Sequence, residues 1–193
     1  MSATNRGTKR KESDFYATPR DAIISLLEND FIADANDLIL EPSAGNGIII
    51  KTLREAGIDN YIHAIEIRSE EKEHLQNVAS SVEITDFLNA DSSISYDVII
   101  GNPPFSLAQE FIDKSLSLLS PGGRLIFLLR TNFLESKKRF EWWQDKLPTK
   151  LYVLAQRPSF TGKGTDATSY AWFIWEKSRY ANQFLKYQEI KVI

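Results

Sequence analysis

The sequence predicts an α/β protein in which helices cover both faces of a doubly wound, mostly parallel sheet of seven strands. Short apolar runs alternate with segments of helical spacing, turn residues separate them, and 193 residues are enough for one large core. Runs rich in Ile, Val, Leu and aromatic residues predict strands at 37–41, 61–67, 82–85, 96–101, 123–130, 150–155 and 169–175. The intervening segments predict helices at 19–29, 48–56, 69–78, 107–119 and 136–146. This alternation is typical of a Rossmann-like architecture.

Turn and capping residues support this assignment. Thr18 followed by Pro19 predicts an N-cap with proline at the first helical position, and "SPGG" at 120–123 predicts the end of a helix before the next strand. The segment 156–168 has no periodicity, which indicates either a functional loop or a long hairpin connection.

Composition excludes several kinds of site. The chain has no cysteine, which rules out disulfides, thiolate catalysis and cysteine-ligated metals, and its two histidines, His63 and His74, do not predict a metal site. No apolar run approaches the roughly 20 residues that span a bilayer, so we expect no membrane partner and a cytoplasmic location. A net charge of −3 gives no global attraction to nucleic acid. Basic residues are nevertheless clustered at 6–11 and 137–139, and each cluster either contacts phosphates or is ordinary solvated surface.

A glycine loop follows the first predicted strand. In "EPSAGNGIII" (41–50), Gly45 and Gly47 allow the backbone to approach a ligand closely, at the sheet edge where open α/β proteins bind ligands. Ile50 stands where a dinucleotide fingerprint has its third glycine, and the Gly-Lys-Ser/Thr of a P-loop is missing. The loop, including Pro42 and Ala44, is therefore a candidate site for a ligand without phosphates.

Acidic residues follow three successive strands of the predicted sheet. Glu66, about twenty residues after the glycine turn, is placed to accept hydrogen bonds from both hydroxyls of a ribose. Asp86 could accept from an exocyclic amine while Phe87 packs on a base, and Ile67 lies next to Glu66. Together with Glu41 these residues predict a nucleoside ligand that carries a cation, although each acid alone would be an ordinary strand-end or capping residue.

The sequence "NPPF" (102–105) follows the fourth strand, which lies beside the first in this architecture. An amine conjugated to an aromatic ring is a poor nucleophile, and acceptors for both of its N–H groups free its lone pair. The Asn102 side chain supplies one acceptor and the Pro103 carbonyl the second, because Pro104 keeps Pro103 extended. Phe105 would stack on the substrate ring. The alternative is a proline turn that simply ends a strand.

These motifs resemble the S-adenosylmethionine-dependent adenine-N6 DNA methyltransferases. "EPSAGNG" is similar to the cofactor motif of that family, "NPPF" to its catalytic [DNS]-P-P-[YFW] motif, and "FYATP" (15–19) to the segment that precedes the cofactor loop. The resemblance extends from about Phe15 to Lys177.

The resemblance also implies roles for individual residues. Glu66 would bind the cofactor ribose, Asp86 its adenine amine, and Tyr16, Thr18 and Gly45 its methionine end. Asn102, Pro103 and Phe105 would hold the target adenine, and Phe160 would cover its second face.

The expected organisation is a flexible basic arm at 1–14 and one methyltransferase catalytic domain at 15–193, without a separate target-recognition domain. The expected reaction is methyl transfer from S-adenosylmethionine to adenine N6 in DNA. Specificity is either relaxed, supplied by a partner, or directed at something other than duplex DNA, and a homodimer also stays open. Three alternatives stay open: methylation of RNA adenine, methylation of protein glutamine, and a catalytically silent cofactor-binding subunit of a nucleic-acid-binding complex.

Overall fold

The computed structural model describes residues 17–91, 93–160, 167–180, 183–185 and 188–193. Within them, one sheet has eight strands in the order 3-2-1-4-5-7-6-8. The strands are β1 Ile39–Glu41, β2 Ile62–Glu66, β3 Ser81–Ile84, β4 Tyr96–Gly101, β5 Leu119–Arg130, β6 Lys150–Val153, β7 Tyr170–Glu176 and β8 Glu189–Val192. The helices are α1 Arg20–Asn29, α2 Ile48–Glu55, α3 Lys72–Gln76, α4 Ala108–Ser117 and α5 Phe140–Lys146.

The predicted architecture is confirmed, with one correction to the strand number. Among the strands of the described residues, β7 alone runs antiparallel to its neighbours, β5 and β6, and the other adjacent pairs are parallel. The prediction of seven strands was wrong because β8 adds an eighth, parallel to β6. The β8 side chains are half-buried or exposed, so the strand has no buried apolar run that a sequence pattern could reveal.

Several predicted boundaries differ from the structure, and two of the differences have a clear local cause. Helix α1 begins at Arg20, so Pro19 is its N-cap, and no side chain caps it; Thr18 is instead buried. The "SPGG" segment lies inside β5, where the pairing register with β4 shifts between Tyr96 and Val98. Gly122 there has a φ of 85°, a conformation that favours glycine and explains why a turn-like sequence continues a strand as a bulge.

The core consists of two layers, one on each face of the sheet. On one face, Ile126 and Leu128 of β5 pack with buried residues of α1, α2 and α3. On the other, Leu125, Phe127 and Leu129 pack with residues of α4 and with Trp143 of α5. Alternate β5 residues therefore face opposite layers, as the two-residue period of a strand requires.

The strand order places a crevice at the carboxyl ends of β1 and β4. These strands are neighbours, and the chain leaves β1 towards α2 on one face but leaves β4 towards α4 on the other. The loops between them diverge, which creates a ligand site at this edge. None of the helices among the described residues is long and apolar enough to cross a membrane.

Candidate active site at the carboxyl edge of the sheet

A cavity of about 750 Å³ lies at this edge, between the loops that follow β1, β2, β3 and β4. It brings together most of the predicted site residues: Thr18, Glu41, Pro42, Ala44, Gly45, Glu66, Ile67, Asp86, Phe87, Asn102, Pro103, Pro104 and Phe105. Its walls also contain residues that the sequence did not single out, among them Ser43, Arg68, Phe111 and Arg130.

Three predicted residues are not part of the cavity wall as described. Tyr16 lies outside the described residues. Gly47 is the N-cap of α2 with a φ of 71°, and a Cβ there would lie 3.1 Å from both Leu75 and Val78. Gly47 therefore shapes the loop through its backbone and its close contact with neighbouring side chains. Phe160 packs behind the wall, against Phe105.

Glu66 fixes the glycine loop against β2. Its Oε2 accepts a hydrogen bond from the Gly45 N–H at 2.6 Å, and its Oε1 accepts from the backbone N–H and the Nε of Arg68, both at 3.0 Å. A carboxylate offers about four acceptor positions, so Glu66 retains capacity for a further donor such as a ribose hydroxyl. The same side chain thus orders the loop and faces the ligand space.

Glu41 is a buried acid at the end of β1, only 2% exposed. Among the described residues its Oε2 has no hydrogen-bond partner. Burial raises the pKa of Glu41 well above its ordinary value, the nearby Glu66 charge raises it further, and a hydrogen bond from the backbone of Ile50 opposes this. No cation in the described part of the chain forms an ion pair with this carboxyl, so it suits a cationic ligand, which would stabilise its ionised form.

The loop after β3 provides an acid and an apolar surface. Asp86 caps a short turn, because its Oδ1 accepts from the Leu88 N–H at 3.0 Å and its Oδ2 from the Asn89 side chain at 2.7 Å. The buried Phe87 ring lies 5.0 Å from the ring of Phe111, which also lines the cavity. Phe111 lies in the segment 107–119 that was predicted as a helix, and its contact with the ligand space could only be found in three dimensions.

The "NPPF" segment is held rigidly beside the glycine loop. The Ser43 hydroxyl donates to the backbone carbonyl of Asn102 at 3.4 Å, which joins the loops after β1 and β4. Pro103 is buried, and the carbonyl of Pro104 accepts from the Leu107 N–H at 2.9 Å at the turn that leads into α4. The backbone that carries the predicted amine acceptors is thus fixed from both sides.

Phe105 belongs to an aromatic group with Phe160 and Tyr170. Its ring centroid lies 6.3 Å from that of Phe160 and 5.6 Å from that of Tyr170. Phe160 meets Phe105 edge-on, at an interplanar angle of 75°, so the two rings do not form a parallel pair around a gap for a base. The Arg130 guanidinium lies 4.4 Å above the Phe105 ring.

The basic cluster at 137–139 divides into two kinds of residue. Lys137 and Lys138 are exposed, whereas the Arg139 guanidinium donates to the Phe133 carbonyl at 2.8 Å and lies 4.4 Å from the Phe133 ring. Arg139 therefore stabilises the chain after β5. No group of three His, Asp or Glu residues in the described part of the chain could hold a metal ion.

Known proteins similar to this chain are methyltransferases. A family model described as "Methyltransferase small domain" matches residues 21–158. The type II methyltransferase M.HincII of Haemophilus influenzae is 31% identical over 130 residues, which cover 53% of this chain and 25% of that protein. This chain thus spans about a quarter of the length of the curated relatives it matches.

Two solved structures show the same fold. The M protein of the type I restriction enzyme EcoKI superposes with a TM-score of 0.69 at 16% identity, over 92% of this chain and 47% of that one. A Listeria monocytogenes protein assigned to the class I S-adenosylmethionine-dependent methyltransferases superposes with a TM-score of 0.67 at 17% identity, over 91% and 65% of the two chains.

The cavity fits the cofactor of these proteins. S-adenosylmethionine is a nucleoside without phosphates that carries an ammonium and a sulfonium, and the cavity wall supplies carboxylates at Glu41, Glu66 and Asp86, a glycine loop and the apolar Phe87. The unpartnered Oε2 of Glu41 in particular matches a cationic ligand. The chain belongs to the methyltransferase small domain family, and the residues of its cavity fit S-adenosylmethionine as a cofactor.

Proposed function

We propose that the protein transfers the methyl group of S-adenosylmethionine to the N6 amine of an adenine in DNA. The observation that carries this proposal is that the cofactor loop and the "NPPF" segment line one cavity and are joined by the Ser43 to Asn102 hydrogen bond. A cofactor and a planar amine held by these two segments would meet inside a single site.

The chain's own residues would activate the amine and orient it. When bound, S-adenosylmethionine supplies a methyl group on a sulfonium, which is already an excellent leaving group. The Asn102 side-chain oxygen and the Pro103 carbonyl would accept the two N–H groups and so favour a tetrahedral nitrogen with a free lone pair. Phe105 would stack on the base, an interaction worth roughly 1–3 kcal/mol.

Two further considerations favour an adenine in DNA. The similar proteins include one named as a type II methyltransferase and, by fold, one described as the M protein of a type I restriction enzyme. The cavity is a recess at the sheet edge, so a base in a duplex must leave the stack to enter it. The aromatic wall at Phe105 suits such an extruded base.

The experiment is incubation of the protein and isotope-labelled cofactor with unmethylated DNA, RNA and cell protein, followed by mass spectrometry of the digested products. We expect label in N6-methyladenine from DNA. Label in RNA adenine or in protein glutamine would replace the proposed substrate by one of those classes, and binding of cofactor without transfer to any of them would make the protein a cofactor-binding subunit.

Variants at the "NPPF" segment separate chemistry from binding. Asn102→Ala removes an acceptor that matters most as the nitrogen becomes tetrahedral, so single-turnover methylation should fall roughly a hundredfold or more while cofactor affinity stays nearly constant. Phe105→Ala removes a stacking surface, so substrate affinity should fall roughly tenfold to a hundredfold. Thermal unfolding of both variants controls for the fold. A folded Asn102→Ala protein that methylates at the parent rate would refute the amine-acceptor role.

A further inference from the structure

Arg130 lies beside the candidate active site, where β5 ends and β7 begins. It is the last residue of β5 and pairs directly with Tyr170, the first residue of the antiparallel strand β7. Directly opposed residues in an antiparallel pair project from the same face of the sheet. Arg130 lines the cavity, so the pair lies beside it.

The Arg130 side chain connects this strand pair to the ring of the "NPPF" segment. Its Nε donates to the Tyr170 hydroxyl at 3.0 Å. Its guanidinium carbon lies 4.4 Å from the centroid of the Phe105 ring and 5.9 Å from that of Tyr170. Arg130 also lines both the cofactor cavity and an adjoining cavity of about 330 Å³, and Phe105 is the other residue that the two cavities share.

The proline pair leaves one freedom that the reaction must restrict. Pro103 and Pro104 fix the backbone of the "NPPF" segment, but they do not fix the side-chain torsions of Phe105. A ring that stacks on a substrate must hold one orientation before the substrate arrives, because ordering it during binding lowers affinity. The rings of Phe160 and Tyr170 already contact Phe105, and the Arg130 guanidinium over the ring, itself tied to Tyr170, adds a further restriction.

We propose that Arg130 is a positioning residue for the methyl transfer, which holds the Phe105 ring in the orientation that stacks on the substrate. Tyr170 acts with it by fixing the guanidinium. The role in methylation rests on the proposed function, whereas the effect on the ring does not depend on which substrate is methylated.

The test compares Arg130→Met, Arg130→Lys and Tyr170→Phe with the parent. Loss of the guanidinium should weaken substrate binding three- to thirty-fold, with cofactor affinity unchanged, and Arg130→Lys should recover part of the loss because it keeps a cation. Lys191→Met is the matched control, because Lys191 lies 5.1 Å above the ring of Tyr152, a residue that is not part of the cavity wall. This control should leave substrate binding unchanged.

A double-mutant cycle identifies the route of the effect. If Arg130 acts through the ring, Arg130→Met should change substrate affinity little in a Phe105→Leu background, and the two substitutions should be strongly non-additive. Additive losses would overturn the proposal, since they would mean that Arg130 acts independently of Phe105. Equal substrate affinity of Arg130→Met and the parent would overturn it as well.

A spectroscopic measurement separates this proposal from the proposed function. With para-fluorophenylalanine incorporated at Phe105, the fluorine resonance of the full chain with cofactor should shift or broaden in Arg130→Met and remain unchanged in Lys191→Met. An unchanged resonance in Arg130→Met would overturn the positioning role. Failure of the parent to methylate adenine would refute the proposed function alone, because the fluorine spectrum reports on the ring without any substrate.

Discussion

Glu41 illustrates how one buried residue connects stability to ligand binding. Its carboxyl ends β1 inside the cavity wall, and burial together with the charge of Glu66 raises its pKa. Below pH 4.5 both the folded and the unfolded protein hold this proton. As the pH rises above 4.5, the unfolded chain releases the proton first, so the free energy of unfolding falls until the pH passes the raised folded-state pKa.

Replacement of this carboxyl should therefore stabilise the protein without cofactor. We expect Glu41→Gln to raise the free energy of unfolding at pH 8 by roughly 1–3 kcal/mol and to flatten its decrease above pH 4.5. The same change should weaken binding of the cationic cofactor roughly tenfold to a hundredfold, because a charged acceptor is lost. Urea denaturation across this pH range and calorimetry provide the two measurements.

Glu55→Gln serves as the control: the pKa shift of Glu55 has the opposite sign, and its contribution to stability is small because the ion pair is exposed. The hydrogen bond from Arg20 lowers the pKa of the exposed Glu55, so its contribution to stability is present at neutral pH and is lost as the pH falls through the lowered value. Cofactor affinity should not respond, since Glu55 lies outside the cavity wall. A Glu41→Gln protein that loses stability at pH 8 would contradict this account.

At the scale of elements, the glycine loop and the start of α2 form one unit. The Gly47 N–H donates to the Ala44 carbonyl at 2.8 Å, and the Gly47 carbonyl accepts from the Lys51 N–H at 2.9 Å, so the loop continues directly into the helix. Gly47 needs both a positive φ and the absence of a Cβ. Gly57, beyond the other end of α2, also has a positive φ, of 81°, but nothing lies within 4 Å of the position that a Cβ would take.

This difference gives a matched pair of substitutions. Gly57→Ala should cost about 1–2 kcal/mol of stability from backbone strain alone, and Gly47→Ala should cost at least about 1 kcal/mol more because its Cβ crowds Leu75 and Val78. Only Gly47→Ala should weaken cofactor binding, because it displaces the loop. Chemical denaturation and calorimetry measure the two effects. Equal stability losses, or unchanged cofactor affinity in Gly47→Ala, would contradict the structural role of Gly47.

The elements that the sequence predicted well have strong local signals. Strand β4 was predicted with its observed bounds, because an apolar run ends at glycine and proline residues, and the loops that follow β1 to β4 placed their residues around one cavity. Strand β8 and the bulge in β5 were missed because each depends on pairing between distant segments. Arg130 was missed for the same reason, although its position at the carboxyl end of β5 was a usable signal.

At the scale of the whole molecule, an ion-pair network joins α1 to three strands. Asp30, just after α1, contacts Arg124 of β5 at 2.9 Å and Lys150 of β6 at 3.2 Å. Glu176 of β7 contacts the same two cations, each at 3.2 Å. Arg124 and Lys150 lie nearer the amino-terminal ends of their strands, whereas the cavity lies at the carboxyl ends. The network is therefore away from the cavity along the strand direction.

Disruption of this network should reduce stability without changing the site. The side chain of Asp30 is 8% exposed, and Asp30→Asn would leave two largely buried cations with one carboxylate, so we expect a loss of roughly 3 kcal/mol in the free energy of unfolding. Cofactor affinity of the folded variant should match that of the parent.

Glu55→Gln is the control for an exposed ion pair. The side chains of Arg20 and Glu55 are 52% and 43% exposed, so loss of this pair should leave the free energy of unfolding nearly unchanged. Denaturation at low and high salt measures both variants, and the Asp30→Asn loss should persist at high salt because buried charges are screened weakly. A loss no larger than that of Glu55→Gln would mean that this network contributes little to holding α1 against the sheet, where Ala22, Ile23 and Leu26 are buried.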